Sequence, residues 1–519
     1  MKHISILDTT LRDGAQAAGI SYSLTDKLAI IDALTQLDID FIEAGNPGSN
    51  KNEQEFFEKV NKNSKTYKKL AAFGSSRRKD KKILEDSGIS AIINAETSNV
   101  AIFGKAWDYH VTDVIRTSLE ENLSMIYDTV KHLKDLNKYV IFDAEHFYDG
   151  FKNNKNYALE VLKTADKAGA DILCLCDTNG GAMPGEITSI TKKTAEMFPS
   201  KIGVHMHNDC GLAVANSIAA VEAGAVHVQG TIAGFGERCG NANLSSIIPA
   251  LQLKLNYNCI PEENMDKLTQ IVRMIAEISN FIIDDSMPYI GANAFTHKAG
   301  MHIDGVTKAK GSFEHMDPEK VGNERRFLIS EIAGKSTIKE KLKAINKKFA
   351  EDSELVETIT RDIKAGKGYM FEGADASFEL YARKKAGISN NYFEVIDYKI
   401  IDEKTDNETD VSSSAVVRVK VGDRLEVAAA CGDGPVNALD SALRKALEIF
   451  YPKVNKMRLT DYKVRVMDST KATASNVRVL IESTDGHDYW TTAGVSANII
   501  IASFKALKDS FIYKLMKDN

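Results

Sequence analysis

A chain of 519 residues is longer than one hydrophobic core usually supports, so its length predicts two to four domains. Its net charge of −6 disfavours nucleic acids and anionic membranes as partners. The sequence has no apolar run near the roughly 18 residues that span a bilayer, no signal-peptide pattern at residues 1–8 and no CxxC pair among its six cysteines. We therefore expect a cytoplasmic protein that lacks a structural zinc cluster.

Short apolar runs alternate with helical patterns over about the first 240 residues. Helical segments such as 26–37 and 119–136 repeat apolar residues every three or four positions. Eight apolar runs predict strands, and they are 4–7, 41–44, 70–73, 91–94, 139–142, 172–176, 202–205 and 226–230. Eight strands separated by helices predict an α/β fold with a closed parallel sheet, the (β/α)8 TIM barrel. A doubly wound sheet is the alternative, but no GxGxxG motif follows the first strand.

The remainder of the chain changes character twice. Residues from about 250 to 390 are helical and charged, and strands alternate with two helices after about 390. A turn glycine and four residues of the helix after it recur sixty positions later, and they are Gly434, Ala442, Lys445, Ala446 and Leu447. A repeated unit that cannot bury its apolar face alone pairs with its twin or with another subunit. We predict three domains, at 1–280, 281–390 and 391–519.

Two histidines, His205 and His207, end the seventh predicted strand. Alternate residues of a strand face the same side, so both imidazoles project together at the rim where barrel enzymes place their active sites. Two imidazoles at this spacing are candidate metal ligands. A pair of rim histidines without a metal fits the spacing equally well.

The first predicted strand also leads into polar residues, including Arg12 and Asp13. Strands 1 and 7 are near neighbours in an eight-stranded barrel. Asp13 would thus complete a set of two histidines and one carboxylate, with positions open for substrate and water. Arg12 would offer positive charge to a substrate carboxylate or an oxyanion. Taken alone, these two residues are also explained by a structural ion pair.

Polar residues follow three more of the predicted strands, in segments 143–146, 176–180 and the glycine-rich 230–243. Backbone N–H groups of a glycine-rich loop can approach phosphate or carboxylate oxygens. Beyond the barrel lie His297 and His302, and histidine is the usual proton carrier near neutral pH. A purely structural rim would not need so many polar groups, which favours an active site.

Two longer motifs, 11–16 (LRDGAQ) and 205–211 (HMHNDCG), resemble the signatures of the acetyl-CoA-dependent 2-oxo acid condensing enzymes. This family contains the 2-isopropylmalate, homocitrate and citramalate synthases, and the similarity covers essentially the whole chain. Segment 432–438 resembles part of the family's dimeric regulatory domain. Segments 102–110 and 142–147 are most similar to the citramalate synthase branch.

The resemblance implies four residues at a divalent metal ion, which are Asp13, His205, His207 and Asn241. Mg²⁺ or Mn²⁺ suits an open site with oxygen ligands, and Zn²⁺ also suits two imidazoles. The resemblance further implies that Arg12 and Thr178 bind the 2-oxo acid and that Glu145 and His302 transfer protons. Phe313 stands where the family often has tyrosine, so a phenol that assists the reaction elsewhere is missing at this position.

The implied reaction condenses acetyl-CoA, as co-substrate, with pyruvate to give (R)-citramalate and CoA in isoleucine biosynthesis. A larger 2-oxo acid, as in 2-isopropylmalate or homocitrate synthesis, is the alternative. The barrel would be catalytic, 281–390 would complete the active site, and 391–519 would form a homodimer and bind an amino-acid effector, with isoleucine favoured. A retro-aldol lyase is disfavoured because such lyases lack the C-terminal repeat. An inactive amino-acid sensor is disfavoured because the candidate catalytic residues are all present.

Overall fold

The computed structural model describes residues 1–60, 66–329, 333–388, 391–404, 411–467 and 475–518. The chain divides into two compact units. The first contains Met1–Phe295 and Met316–Glu324, and the second contains Thr296–His315 and Arg325–Asn519. The domain boundaries inferred from the sequence, after residues 280 and 390, stay predictions.

The first unit contains a closed barrel in which each strand pairs in parallel with the next along the chain. Its strands are β1 (Ser5–Asp8), β2 (Phe41–Gly45), β3 (Leu70–Ser75), β4 (Asn99–Lys105), β5 (Tyr139–Glu145), β6 (Ile172–Asp177), β7 (Ile202–Met206) and β8 (His227–Gly230). The sheet closes where β1 pairs with β8, with Ser5 opposite His227 and Asp8 opposite Gly230. The predicted (β/α)8 barrel is confirmed, and closure excludes the doubly wound alternative.

Amphipathic helices surround the barrel and bury their apolar faces against its strands. They are α1 (Leu24–Leu37), α2 (Lys51–Lys59), α3 (Ser87–Asn94), α4 (Leu119–Asp135), α5 (Phe147–Asn153), α6 (Lys155–Ala168), α7 (Pro184–Met197), α8 (Ala213–Glu222), α9 (Leu244–Leu255) and α10 (Leu268–Ile278). A smaller apolar cluster fills the inside of the barrel, and its buried members include Leu7, Ala101 and Ile141. The interior is therefore packed.

The predicted strand at 91–94 is wrong, because these residues end α3 and the fourth strand is β4. The Asp86 carboxylate accepts hydrogen bonds from the backbone N–H groups of Gly88 at 2.8 Å and Ile89 at 3.3 Å. This cap starts the helix, and Ile89 and Ile92 then turn inward one helical turn apart. A four-residue apolar run does not by itself distinguish a buried helix end from a buried strand.

The second unit begins with a pair of two-residue strands, β9 (Thr296–His297) and β10 (Arg326–Phe327). Its helices before residue 390 are α11 (Gly300–Lys308), α12 (Lys335–Ile345), α13 (Lys347–Glu351), α14 (Ser353–Asp362), α15 (Gly368–Phe371) and α16 (Asp375–Lys385). Several of them pack around a small core that includes Ile338, Ile359 and Phe378.

The end of the chain, within the second unit, contains two structural repeats. Each repeat consists of three antiparallel strands followed by a helix. The first comprises β11 (Glu394–Lys404), β12 (Val411–Val421), β13 (Arg424–Gly432) and α17 (Pro435–Glu448). The second comprises β14 (Arg458–Val466), β15 (Val477–Thr484), β16 (Tyr489–Ser496) and α18 (Ile499–Asp518). Both helices contribute to one hydrophobic core.

The structural repeat differs in register from the sixty-residue echo in the sequence. Helix α18 begins 64 residues after α17, and at that spacing buried Ala442 corresponds to buried Ala506. The difference is four residues, about one helical turn, so either alignment places apolar residues on the same helix face. No helix among the described residues is both long enough and apolar enough to cross a membrane.

Candidate active site and metal centre

A cavity of about 290 Å³ opens at the C-terminal ends of the barrel strands. Six of the eight candidate site residues line it, and they are Arg12, Asp13, Glu145, Thr178, His205 and His207. They follow or end β1, β5, β6 and β7, so the parallel arrangement of the strands carries residues far apart in sequence to one rim.

Asp13, His205 and His207 converge in a group of potential metal ligands. The Nε2 atom of His205 lies 3.2 Å from one carboxylate oxygen of Asp13, and the Nε2 atom of His207 lies 3.9 Å from the same oxygen. The two Nε2 atoms are 3.3 Å apart. Alternation along β7 brings the imidazoles together, as the HxH spacing predicts.

The local electrostatics favour a cation at this point. Burial would raise the pKa of the Asp13 carboxyl, but Arg12 and the two imidazoles outweigh it and hold that pKa well below its usual range. Burial and neighbouring His205 lower the pKa of His207 to about 3, so its imidazole is neutral at pH 7. Burial also lowers the pKa of His205, but Asp13 more than compensates and raises it. A cation would compete with that proton for the same nitrogen.

Asn241 lies beside this group, since it forms an isolated antiparallel bridge with His207. Its side-chain N–H donates to the carbonyl of Phe235 at 3.2 Å. Its buried Oδ1 atom has no hydrogen-bond partner among the described residues. Two imidazoles, one carboxylate and an unpaired amide oxygen are the donor types that bind divalent metal ions, so these residues fit such an ion.

Arg12 is held by three neighbours at the cavity wall. Its Nε donates to the Glu43 carboxylate at 2.6 Å, one terminal nitrogen lies 3.4 Å from Asp13, and its guanidinium carbon is 3.9 Å from the centroid of the Phe73 ring. Glu43 is fully buried, and one of its oxygens has no partner among the described residues. Sequence reasoning missed Glu43, although an acidic residue inside the apolar run of β2 was a visible signal.

Glu145 and Thr178 occupy neighbouring strand ends. Glu145 forms an ion pair with Lys105, because these residues are paired at the ends of β5 and β4. The Thr178 hydroxyl oxygen accepts a hydrogen bond at 2.9 Å from the backbone N–H of His146, whose φ of +56° is in the left-handed region. This bond leaves the hydroxyl hydrogen of Thr178 available for another acceptor.

His302 belongs to the second unit, where it lies on α11. Its exposed imidazole stacks on the ring of Phe313, with centroids 4.3 Å apart and planes inclined by 21°. Nearby His297 is bonded to Glu314 at 3.0 Å, and Glu314 is also held by Arg325. Phe313 therefore has a defined packing role without a hydroxyl group. The assignment of His302 to proton transfer stays a prediction.

Family models match three successive parts of the chain. Residues 3–275 match the model described as HMGL-like, 289–367 match the homocitrate synthase post-HMGL domain-like model, and 372–515 match the LeuA allosteric (dimerisation) domain. The first match contains every candidate ligand of the metal group.

Several relatives match along nearly their full length. The chain is 50% identical to the (R)-citramalate synthase of Aquifex aeolicus (strain VF5), over 99% of this chain and 98% of that protein. It is 46% identical to the (R)-citramalate synthase of Geobacter sulfurreducens, over 100% of this chain and 98% of that protein. Identity to a probable 2-isopropylmalate synthase of Methanosarcina mazei is lower, at 32% over 100% of this chain and 96% of that protein. The chain is an enzyme that belongs to the citramalate synthase family.

Proposed function

We propose that this enzyme condenses acetyl-CoA with pyruvate and hydrolyses the resulting thioester to give (R)-citramalate and CoA. The observation that carries the proposal is the meeting of Asp13, His205 and His207 with Arg12 in one cavity, within a chain that matches (R)-citramalate synthases end to end. This activity would serve isoleucine biosynthesis in the cytoplasm.

The metal group is the proposed anchor for the 2-oxo acid. Asp13, His205 and His207 would hold a divalent cation, with Asn241 beside them, and Mg²⁺ or Mn²⁺ is the favoured ion. When bound, such an ion supplies Lewis acidity to the 2-oxo carbonyl. The Thr178 hydroxyl hydrogen would donate to the substrate carboxylate, since the oxygen of that hydroxyl already accepts from the backbone.

Arg12 would stabilise the charge that develops during carbon–carbon bond formation. A base removes a proton from the methyl group of acetyl-CoA, and the resulting enolate carbon bonds to the carbonyl carbon of pyruvate. The carbonyl oxygen then becomes an alkoxide, which is the charge that a preoriented guanidinium stabilises most. Ion-pair contacts with Glu43 and Asp13 fix the guanidinium before substrate arrives. Protonation of the alkoxide and attack of water on the thioester complete the reaction and release CoA.

The proposed base is His302, with Glu145 as the alternative. Stacking on Phe313 orients the imidazole of His302, which remains exposed. Glu145 lines the cavity and is held by Lys105, which fixes the position of its carboxylate. Exchange of the acetyl-CoA methyl protons with solvent, measured in His302→Ala and in Glu145→Gln, would separate the two. Only the variant that lacks the base should lose this exchange.

Pyruvate is favoured over larger 2-oxo acids by the apolar part of the cavity lining. Phe73 and Phe103 both line the cavity, and their rings stack with centroids 5.4 Å apart. Two rigid rings leave room for a small alkyl group more readily than for a branched one. Because one methylene is worth only about 1–3 kcal/mol in such a pocket, we expect graded selection and not complete exclusion.

The C-terminal domain is proposed to form a homodimer and to bind an amino-acid effector, with feedback inhibition by isoleucine favoured. Support comes from the match of residues 372–515 to the LeuA allosteric (dimerisation) domain. Titration of isoleucine and leucine into the activity assay tests the effector, and indifference to both would reject it. Sedimentation velocity tests the homodimer.

The proposed reaction is tested by measuring CoA release from acetyl-CoA with pyruvate in the presence of Mg²⁺ or Mn²⁺. The product is identified by chiral chromatography against (R)- and (S)-citramalate. CoA release without citramalate would reject the proposal.

A further inference from the structure

We propose that Gln229 and Asp143 are positioning residues that fix the imidazole of His205 as a metal ligand. Gln229 would hold the ring and its tautomer, and Asp143 would hold the amide of Gln229. This inference rests on the proposed metal site and adds two residues that act on it through His205.

The contacts form one chain through the inside of the barrel. The Nδ1 atom of His205 lies 3.0 Å from the side-chain oxygen of Gln229, and the Nε2 atom of Gln229 donates to Asp143 at 2.7 Å. His205, Gln229 and Asp143 stand on β7, β8 and β5, so the chain of bonds spans the barrel. Gln229 is fully buried, and Asp143 is 5% exposed.

The direction of each hydrogen bond follows from the chemistry of the groups. The NH₂ group of Gln229 faces Asp143, to which it donates, so the side-chain oxygen of Gln229 faces His205. That oxygen can only accept, so Nδ1 of His205 must carry the hydrogen. The lone pair of the neutral ring then lies on Nε2, which is the atom directed at Asp13. With the opposite tautomer, Nε2 would carry a hydrogen and could not bind a metal ion.

The Asp143 carboxylate lies beside the thiols of Cys174 and Cys176 inside the barrel. Rotation of the Gln229 amide would place its oxygen against a carboxylate and its NH₂ group against the ring N–H. The network therefore disfavours both rotation of the amide and exchange of the tautomer.

The test compares Mn²⁺ binding by metal-free variants of the full chain, followed by electron paramagnetic resonance of free Mn²⁺, with unfolding midpoints measured in parallel. We expect Gln229→Leu to weaken Mn²⁺ binding about 10- to 100-fold, the usual effect of losing a partner of a ligating histidine. Asp143→Asn should also weaken binding, because an amide permits either orientation of Gln229.

The decisive variant combines Gln229→Glu with Asp143→Asn. In this exchange the new carboxylate accepts from both His205 and the new amide, so the bond from Nδ1 of His205 is kept while the bond between positions 143 and 229 reverses its direction. We expect its Mn²⁺ affinity to return close to that of the wild type. The control is Asn99→Leu, which removes a buried amide that donates to the carbonyls of Lys68 and Leu70. It should lower the unfolding midpoint and leave Mn²⁺ affinity unchanged.

Wild-type affinity in Gln229→Leu would overturn the inference, as would a double variant no better than the weaker of the two single variants. Equal loss of affinity in Asn99→Leu would also overturn it, because the effect would then be one of general stability. A wild-type protein that binds no Mn²⁺ would instead reject the proposed metal site, and the inference with it.

Discussion

Replacement of Glu43 by glutamine tests whether this buried carboxylate orients the Arg12 guanidinium for catalysis. The substitution keeps the size of the side chain and removes the charge that accepts from Arg12 Nε at 2.6 Å. A hydrogen bond of this charged type contributes about 1.5–3 kcal/mol, and about 1.4 kcal/mol corresponds to a tenfold change in rate. If Arg12 stabilises the transition state through that orientation, we expect kcat/KM for pyruvate to fall about 10- to 100-fold.

The size of this effect should depend on pH. Burial, partly opposed by Arg12, raises the pKa of Glu43 to about 7 from its ordinary value of 4.5. The carboxylate is therefore charged above about pH 7 and takes up a proton as the pH falls through that value. We expect the wild type and Glu43→Gln to differ most above pH 7 and to approach one another below it.

The assay is continuous detection of released CoA, applied to a double-mutant cycle with Arg12→Met. If Glu43 acts through Arg12, the double variant should be no slower than Arg12→Met alone. Fully additive losses would refute this reasoning. Glu53→Gln is the matched control, since Glu53 pairs with Lys27 and should change stability without changing kcat/KM.

Three further predictions address the metal group and the C-terminal domain. Asp13→Asn should lose Mn²⁺ affinity and turnover together, and near-normal activity would exclude Asp13 as a ligand. Gly494→Ala should lower the free energy of unfolding by about 1–3 kcal/mol, because the added Cβ would lie 1.9 Å from the carbonyl oxygen of Ala502. The control is Gly434→Ala, where the added Cβ would meet open space, and calorimetry should detect no change. Burial raises the pKa of Asp509 to about 6, so the folded state keeps a proton that the unfolded chain releases from about pH 4. The free energy of unfolding therefore falls as the pH rises through 6. In thermal unfolding, the free energy of unfolding of Asp509→Asn should exceed that of the wild type by about 1–2 kcal/mol at pH 8 and match it at pH 4.

Sequence periodicity was enough to predict the barrel, because buried parallel strands such as β6 are continuous apolar runs between amphipathic helices. It failed at 91–94, where the decision between helix and strand depended on a cap at Asp86. It also placed the C-terminal repeat one helical turn out of register. A four-residue shift preserves the apolar face of a helix, so only the strands before α17 and α18 determine the alignment.

The candidate site was visible where polar residues interrupt the sequence at strand ends, as at Asp13 and His207. Glu43 and Gln229 were not recognised, because both lie within strands and not after a strand end, where the polar motifs are found. Their partners, Arg12 and Asp143, are distant in sequence and meet them only when the barrel closes. Sequence patterns thus predict which residues reach the rim, but not which buried groups orient them.

The central claim is tested most directly by CoA release from acetyl-CoA with pyruvate, 2-oxoisovalerate or 2-oxoglutarate, each with Mg²⁺ or Mn²⁺ and after chelation. We predict release with pyruvate, far slower release with the two larger acids, and loss of activity on chelation that the added cation reverses. Preference for a larger acid would contradict the assignment of pyruvate, and activity that survives complete removal of metal would contradict the proposed role of Asp13, His205 and His207.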